Sequence, residues 1–181
     1  MDEFQLLDHL NLYVRFEEDE KDMRDQMIEF IKTDPNCFEN TNHHGHITAS
    51  AWIYDSETQM IGLVHHKKLN KWLQTGGHSD GNPDTASQAL REAQEEFGHD
   101  GLVLSSEYIF DVDVHQVPVD IKRDVPPHLH YDVRFLIYGN SSIPPHVSDE
   151  SHEARWVALD EVEQLNNERS MMRMVEKTRA L

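Results

Sequence analysis

The sequence has few of the features on which disulfide-bonded, secreted or membrane-spanning proteins depend. Its one cysteine, Cys37, cannot form a disulfide within the chain, which favours a reducing compartment. No apolar run approaches the roughly 20 residues that a membrane-spanning helix needs. The first residues also lack the basic and apolar segments of a secretion signal. We therefore expect a cytoplasmic protein that does not enter a membrane.

Basic side chains are also scarce. The chain has 16 lysines and arginines against 34 aspartates and glutamates, which gives a formal net charge of -18. A surface of this kind binds nucleic acids and anionic membranes poorly. It also repels phosphorylated small molecules unless cations lie between the charges. We expect no nucleic-acid partner, and we expect metal ions wherever the protein binds phosphate.

The length of 181 residues suits one domain with a sizeable core. No internal repeat, low-complexity tract or linker divides the sequence. We predict a single domain over residues 1–181, with a helical N-terminal extension at 1–35, a core at 45–165 and a C-terminal helix at 166–181.

Residues 1–33 have the apolar spacing of two helices. The first apolar stripe consists of Leu6, Leu7, Leu10 and Val14, and the second of Met23, Met27, Phe30 and Ile31. Both stripes favour packing over ligand binding, either against the core or against a second copy of the chain. Because helices this short are marginal alone, we expect a homodimer that buries part of this segment.

The middle of the chain changes to the two-residue period of β-strands. Strands are predicted at 46–55 and 60–66 with a turn between them, and an extended segment is predicted at 102–118. A further long strand at 128–139 places four polar side chains on one face: His128, His130, Asp132 and Arg134. A short strand and the C-terminal helix follow.

The segment at 72–98 carries the clearest chemical signal. It begins as a predicted glycine-containing loop and becomes a helix that starts at Asp84 or Thr85 and stops at Gly98. Three carboxylates share one face of that helix, namely Glu92, Glu95 and Glu96. An isolated cluster of this kind is more often a solvated acidic surface. Crowded carboxylates also suit Mg²⁺ or Mn²⁺, which prefer oxygen ligands.

The residues around the cluster decide between these two interpretations. Arg91 directly precedes it, Gly98 follows it, and Gly77 lies 14 residues before Arg91. The pattern resembles the Nudix box, in which a glycine and a spacer lead to Arg-Glu-x-x-Glu-Glu-x-Gly. Three further segments are similar to one bacterial Nudix subfamily: GHITASAW (45–52), WLQTGGH (72–78) and HLHYDVRF (128–135).

One position departs from the box. Pro83 stands where the family usually has a glutamate, which pairs with the arginine and supports the loop. Asp80 and Asp84 are the candidates to supply that charge to Arg91.

The resemblance implies an α/β/α sandwich with a mixed central β-sheet, to which this chain adds N-terminal helices. It also implies a hydrolase that cleaves the diphosphate bond between a nucleoside diphosphate and another group, as in ADP-ribose or a nucleotide sugar. In such an enzyme water attacks phosphorus. The implied cofactor is Mg²⁺ or Mn²⁺, held by Glu92, Glu95, Glu96 and a backbone carbonyl near Gly76 or Gly77.

The general base stays open between two regions. Glu95 and Glu96 lie in the box helix, whereas Glu150 and Glu153 lie before the last strand, a region where relatives often place a base. Each of the latter two also has a structural alternative as a partner of Arg155 or Arg134. The candidate catalytic residues are therefore Arg91, Glu92, Glu95, Glu150 and Glu153.

The candidate substrate contacts are His78, Lys67, His128, His130 and Arg134. His78 lies in the box loop, and Lys67 belongs to a basic island just before it. Two histidines at i and i+2 point the same way on a strand, and with His115 they form a candidate cluster for metal or phosphate. We do not expect a zinc module, because no Cys-x-x-Cys pair is present.

Two other functions of the same fold compete with the hydrolase. An isomerase acting on an isoprenoid diphosphate needs a cysteine at the reacting carbon, and Cys37 precedes the first predicted strand. A non-catalytic nucleotide-binding regulator usually lacks the box carboxylates, whereas this chain keeps all three. The chemistry therefore favours the hydrolase.

Overall fold

The computed structural model describes residues 1–98, 101–121 and 124–181, and a mixed β-sheet lies at its centre. The described strands are β1 (Gly45–Asp55), β2 (Met60–His66), β3 (Lys71–Leu73), β4 (Thr75–His78), β5 (Val103–Leu104), β6 (Asp111–Val117), β7 (His128–Tyr138) and β8 (Ser151–Ala158). The helices are α1 (Glu3–Leu12), α2 (Asp19–Thr33), α3 (Thr85–Phe97), α4 (Val162–Leu165) and α5 (Arg169–Arg179). A 3₁₀ turn at Leu159–Glu161 precedes α4.

Strand β1 organises the sheet. It is antiparallel to β2 and β4 and parallel to β7, while β8 extends the sheet from β2 and β6 extends it from β7. Every residue of β1 is buried, because other elements cover both of its faces. The predicted strands at 46–55 and 60–66 and the mixed character of the sheet are confirmed.

Helices cover both faces of the sheet. On one face Ala89 and Phe97 of α3 belong to the same buried cluster as Ile47 of β1. On the other face Met174 of α5 packs in a second buried cluster with Trp52 of β1. Neighbouring residues of a strand point to opposite faces, so one strand serves both clusters. The fold is the predicted α/β/α sandwich.

Local signals set the ends of α3, as predicted. The Asp84 side chain accepts the backbone N–H of Ser87 at 3.2 Å, which satisfies a free donor in the first turn. At the other end Gly98 has φ of 63°, the left-handed conformation that suits glycine. Its N–H donates to the carbonyl of Gln94 at 3.0 Å.

The N-terminal helices pack on the core of their own chain. Their buried side chains Leu6, Leu10, Met27 and Ile31 join the cluster that contains α3. Val14, however, is 85% exposed, because α1 ends at Leu12 and the chain then extends. The extension of the first stripe to Val14 is therefore wrong.

The predicted extended segment at 102–118 contains two strands. Both β5 and β6 pair with β7, and the residues between them loop out from its edge. The loop is held at its ends, where the N–H of Ser105 donates to the carbonyl of Leu136 and that of Phe110 to the carbonyl of Arg134.

Buried charges join α2 and α5 to the sheet. The group consists of Glu20, Asp111, Asp113, Asp132, Arg134, Arg173 and Lys177. Arg173 donates from Nε to Asp111 at 2.8 Å, and Lys177 bonds both Glu20 and Asp111. Because a buried charge is costly unless it is paired, this network fixes the position of α5 on the sheet.

In the described part of the chain, none of the helices combines the length and the apolar character that crossing a bilayer requires.

Candidate active site

The box glycines lie in a strand, whereas the sequence predicted a loop. Gly76 and Gly77 belong to β4 and stand opposite Ser50 and Ala49 of β1. A Cβ atom on Gly76 would lie 2.3 Å from Oγ of Ser50, and one on Gly77 would lie 2.6 Å from Cδ of Glu92. Glycine is therefore required here for close approach of the backbone to its neighbours, and its low strand propensity hid the strand.

The three box carboxylates occupy different environments. Glu96 is 7% exposed, and its Oε2 accepts the backbone N–H of Gly76 at 3.1 Å. The side chain of Glu92 is 15% exposed and that of Glu95 is 59% exposed.

Burial raises the pKa of two of these carboxylates, so they lose their protons less readily. Burial, together with the charges of Glu92, Glu150 and Glu95, raises the pKa of Glu96 to about 7. Burial also raises the pKa of Glu92, against the opposing effect of Arg91. A divalent cation would stabilise the ionised form of both groups, so the donor set fits Mg²⁺ or Mn²⁺.

Arg91 holds two of the carboxylates from within the helix. Its Nη1 donates to both carboxylate oxygens of Glu95 at 2.8 and 2.9 Å, and its Nη2 donates to Oε1 of Glu92 at 2.9 Å. Among the described residues, the three glutamates do not form a group whose ligand atoms all lie within 4.8 Å of one another. The pairing of Glu95 with Arg91 accounts for this separation.

The two candidates for the missing box glutamate behave differently. Asp84 caps α3 and pairs with the N-terminal amino group of Met1 at 2.8 Å, so its proposed pairing with Arg91 is wrong. Asp80 contributes to raising the pKa of Arg91 through space, after the larger effect of the hydrogen bond to Glu95. Asp80 also accepts a hydrogen bond from Asn40 at 2.6 Å.

Gln88 is a site residue that the sequence analysis missed. Its Nε2 donates to the carbonyl of His78 at 2.7 Å and to Oε1 of Glu92 at 2.9 Å. It therefore ties β4 to α3, the role that the family assigns to its missing glutamate. Its position four residues before Glu92 on the same helix face was the available signal.

The two distal glutamates, Glu150 and Glu153, differ in their position relative to the box helix. The charge of Glu150 raises the pKa of both Glu92 and Glu96, so it lies within electrostatic reach of the box. Glu153 lies in β8 and contacts Arg155 at 3.9 Å. Along β8 it shares a face with Val157, which packs in the cluster on the α5 side. Glu153 therefore points away from α3.

Lys67 is placed beside the candidate base. Its Nζ donates to the carbonyl of Asp149 at 2.7 Å, and its backbone N–H donates to the carbonyl of Glu150 at 2.9 Å. The remaining lysines of the basic island pair elsewhere, Lys68 with Asp120 and Lys71 with Glu168. Of the lysines in the island, Lys67 is thus the one with direct hydrogen bonds to the segment that contains Glu150.

Several histidines gather on the sheet face opposite α3. His46, His78 and His130 have ring nitrogens that all lie within 4.8 Å of one another. The ring centroid of His128 lies 4.9 Å from that of His46, with the planes tilted by 33°, and the centroid of His115 lies 5.6 Å from that of His130. The sequence analysis grouped His115, His128 and His130 but missed His46 and the connection to His78.

Arg134 is buried and paired with carboxylates, which argues against its predicted role as a substrate contact. It is 2% exposed, and its guanidinium binds three aspartates. The distances are 2.7 Å to Asp132, 3.0 Å to Asp111 and 3.1 Å to Asp113. The strand face that carries it is covered by α5, whose Arg173 shares Asp111.

Comparisons with known proteins agree with this geometry. The model of the NUDIX domain matches residues 44–177. An Ap4A hydrolase binary complex from C. elegans has a TM-score of 0.58 at 18% identity, covering 74% of this chain and 95% of that chain. A MutT protein from Methanosarcina mazei Go1 has a TM-score of 0.54 at 20% identity, covering 75% and 94% respectively.

A NUDIX family hydrolase from Clostridium perfringens has a TM-score of 0.52 at 20% identity, covering 77% of this chain and 98% of that chain. At these identities the solved structures establish a common fold. A comparison with curated proteins finds no match.

Proposed function

Because this chain belongs to the NUDIX domain family, we propose that it is a metal-dependent hydrolase of nucleoside diphosphates linked to another group. It is a Nudix-type pyrophosphohydrolase, and the bond cleaved is the phosphoric anhydride of a small nucleotide-derived molecule. The matched segment, residues 44–177, includes the whole box and every candidate catalytic residue. ADP-ribose and nucleotide sugars are the proposed substrate class.

The observation that carries the proposal is the burial of Glu96 and the partial burial of Glu92 against the glycines of β4. Glu92 lies against Gly77, and Glu96 accepts the N–H of Gly76. Their raised pKa values show that the effect of burial outweighs the hydrogen bonds that these carboxylates accept. An acidic chain needs a cation between such groups and a diphosphate, which agrees with the role of Mg²⁺ or Mn²⁺.

We assign the metal ligands to Glu92, Glu95, Glu96 and a backbone carbonyl at Gly76 or Gly77. A cation held there would offset the charge of a diphosphate and lower the pKa of a water molecule bound to it. Glu95 is the most exposed carboxylate, and both of its oxygens accept from Arg91, so metal binding would replace at least one of these hydrogen bonds. Arg91 thus orients the carboxylates and contributes to catalysis through them.

Glu150 is our preferred general base. It is exposed, it influences both buried box carboxylates, and its carbonyl is fixed by the backbone N–H of Lys67. A base in this position would accept the proton of the attacking water. Lys67 is correspondingly the preferred phosphate contact, since its ammonium group lies next to the same segment.

The isomerase alternative is weakened by the position of Cys37. Its side chain is 1% exposed, and burial, assisted by the charges of Glu3 and Asp34, raises the pKa of its thiol to about 12. A buried thiol of this kind is a poor reacting group. The regulator alternative predicts nucleotide binding without any product.

The test is a panel of substrates with product analysis. ADP-ribose, nucleotide sugars and dinucleoside polyphosphates, the last prompted by the name of the C. elegans protein, are incubated with Mg²⁺ or Mn²⁺. We expect release of a nucleoside monophosphate from at least one substrate and none after exhaustive chelation. Turnover that survives chelation would contradict the metal assignment. Binding without products across the panel would favour the regulator.

We propose a cytoplasmic location and a homodimer. The location is supported by the single cysteine, and the dimer by the short N-terminal helices. The stripes that suggested the dimer are largely buried within the chain, so a dimer would use other surface of this segment, such as the exposed side chains Leu12, Val14 and Phe16. Sedimentation of the full chain tests it, and a monomer would exclude the dimer.

A further inference from the structure

Three strands bring three imidazoles to one point on the sheet. His46 of β1 stands directly opposite His130 of β7, and His78 of β4 stands opposite Thr48, two residues along β1. Paired residues point to the same face of a sheet, as do residues two apart on a strand. The register therefore aims all three rings at one volume, and their ligand nitrogens lie within 4.8 Å of one another.

The distance between two of these nitrogens matches a shared metal ion. Nε2 of His46 lies 3.1 Å from Nε2 of His130. Two nitrogens bound at 2.0–2.1 Å to one tetrahedral zinc ion are about 3.3 Å apart. Without a metal, the contact requires one ring to carry its proton on Nε2. A bound cation would replace that proton with only a small movement of either ring.

A backbone carbonyl next to the cluster contacts the second ring nitrogen of His46 and so orients its ring. Nδ1 of His46 lies 3.4 Å from the carbonyl of Asn42, so a proton on Nδ1 would leave the lone pair of Nε2 facing the cluster. The adjoining His115 makes the same kind of contact from Nδ1 to the Asp113 carboxylate at 2.9 Å. Metal-bound histidines are commonly anchored through the second nitrogen in this way.

The ligand chemistry separates this cluster from the box. Mg²⁺ prefers oxygen ligands, whereas three neutral imidazoles suit Zn²⁺ and similar transition metals. The two sites also lie on opposite faces. The missing side chain of Gly77 points at Glu92 of α3, and because neighbouring strand residues alternate, His78 points to the other face.

We propose that His46, His78 and His130 form a second metal site, which binds Zn²⁺ or a chemically similar transition metal with one coordination position left open. The site is distinct from the carboxylate site and does not depend on the proposed hydrolase activity. It links β4, which carries the box glycines, to β1 and β7. Occupancy therefore stabilises the strand on which the box is built.

Metal binding by the full chain, stripped of metal and without an affinity tag, tests the proposal. Zn²⁺ is titrated in competition with a chromophoric chelator, and Co²⁺ is added separately because its visible absorption reports tetrahedral nitrogen coordination. We expect one strongly bound Zn²⁺ per chain, a four-coordinate Co²⁺ spectrum and a higher melting temperature with Zn²⁺.

Variants locate the site. His78→Gln, at the end of a strand, and His130→Gln should each weaken Zn²⁺ binding by at least roughly 10-fold, since each removes a ligand. His44→Gln, in the loop before β1, is the matched control and should bind as the original chain does. The double variant Glu92→Gln and Glu95→Gln should also retain Zn²⁺, which separates the two sites.

Three results would overturn the proposal. The first is the absence of strong Zn²⁺ binding by the original chain. The second is unchanged binding in both His78→Gln and His130→Gln when circular dichroism shows that they are folded. The third is loss of Zn²⁺ binding in the glutamate double variant, which would place the ion at the box.

Discussion

The carboxyl group of Glu92 lies directly against the backbone of Gly77. A Cβ atom at this glycine would be 2.6 Å from Cδ of Glu92 and 2.8 Å from each of its oxygens. The glycine thus lets the box strand and the box helix approach until a carboxylate touches the backbone. The geometry of the proposed metal site depends on this contact.

Gly77→Ala should therefore impair activity more than stability. The new methyl group would displace the Glu92 carboxylate, and small displacements at a catalytic site are costly. We expect turnover to fall by about 10²-fold, with a folded protein by circular dichroism. Gly139→Ala, whose Cβ would lie 2.8 Å from a ring carbon of Trp156 and not against a box carboxylate, is the control. Equal losses of activity in both variants would argue against a special role for Gly77.

Glu95→Gln should abolish most activity while the melting temperature holds. The change keeps the shape of a proposed metal ligand and removes its charge, so turnover should fall on the order of 10²–10⁴-fold. The side chain is 59% exposed and its pair with Arg91 is on the helix surface, so the stability effect should stay below about 1 kcal/mol. Glu163→Gln on α4 is the surface control. Full turnover by Glu95→Gln would show that the catalytic centre is assigned wrongly.

Glu150→Gln and Glu153→Gln form a matched pair. Glu150 influences the box carboxylates, whereas Glu153 points to the α5 side of β8 beside Arg155. If Glu150 is the base, its replacement should lower kcat by roughly 10²–10⁴-fold and remove the lower limb of the pH–rate profile. Glu153→Gln should leave both quantities unchanged. The reverse result would transfer the base to Glu153.

Glu96 should make the metal-free protein less stable as the pH rises. Its folded pKa is raised to about 7 from the ordinary value of 4.5, so the folded state favours the protonated form. The stabilising contribution is complete below about pH 4.5 and is lost as the pH rises through about 7. Urea unfolding in chelator at about pH 5 and about pH 8 measures the change.

Glu96→Gln should reduce this pH dependence and raise the stability of the metal-free protein at the higher pH, by on the order of 1 to 3 kcal/mol. An identical pH dependence in the original chain and in this variant would rule out Glu96 as its source.

Arg173→Met should destabilise the fold strongly. Arg173 is buried, and its removal leaves Asp111 and Asp113 with one cation fewer. Breaking a buried ion pair commonly costs about 3–5 kcal/mol. Arg169→Met, on the same helix, is the control, because Arg169 pairs with Glu17 and Glu176 at the surface and should cost less than about 1 kcal/mol. Equal costs by urea unfolding would mean that the buried network does not fix α5.

The sequence by itself determined the elements whose signals are local. The cap at Asp84 and the left-handed Gly98 set the ends of α3, because capping depends on residues only a few positions apart. The same holds for the spacing of Glu92, Glu95 and Glu96 on one face. The long strands β1 and β7 were also evident from their β-branched and aromatic content.

Only the tertiary structure decided which distant residues meet. Strand β4 forms because β1 supplies its hydrogen-bonding partner, so two glycines and their neighbours gave no sign of it. The burial of Arg134 depends on α5 lying over its strand face, and the direction of Glu153 depends on the register of β8. Periodicity shows that a strand has two faces but does not show which element covers each one.

The histidine cluster shows the same division most clearly. His128 and His130 could be grouped from their spacing on one strand. His46 lies on β1 and His78 on β4, and these strands reach His130 only because β1 pairs with both β4 and β7. The sequence thus determined the composition of the site, because residue types and local spacing can be read directly from the sequence. Its geometry was set by strand pairing, because hydrogen bonds between strands join residues that are far apart along the chain.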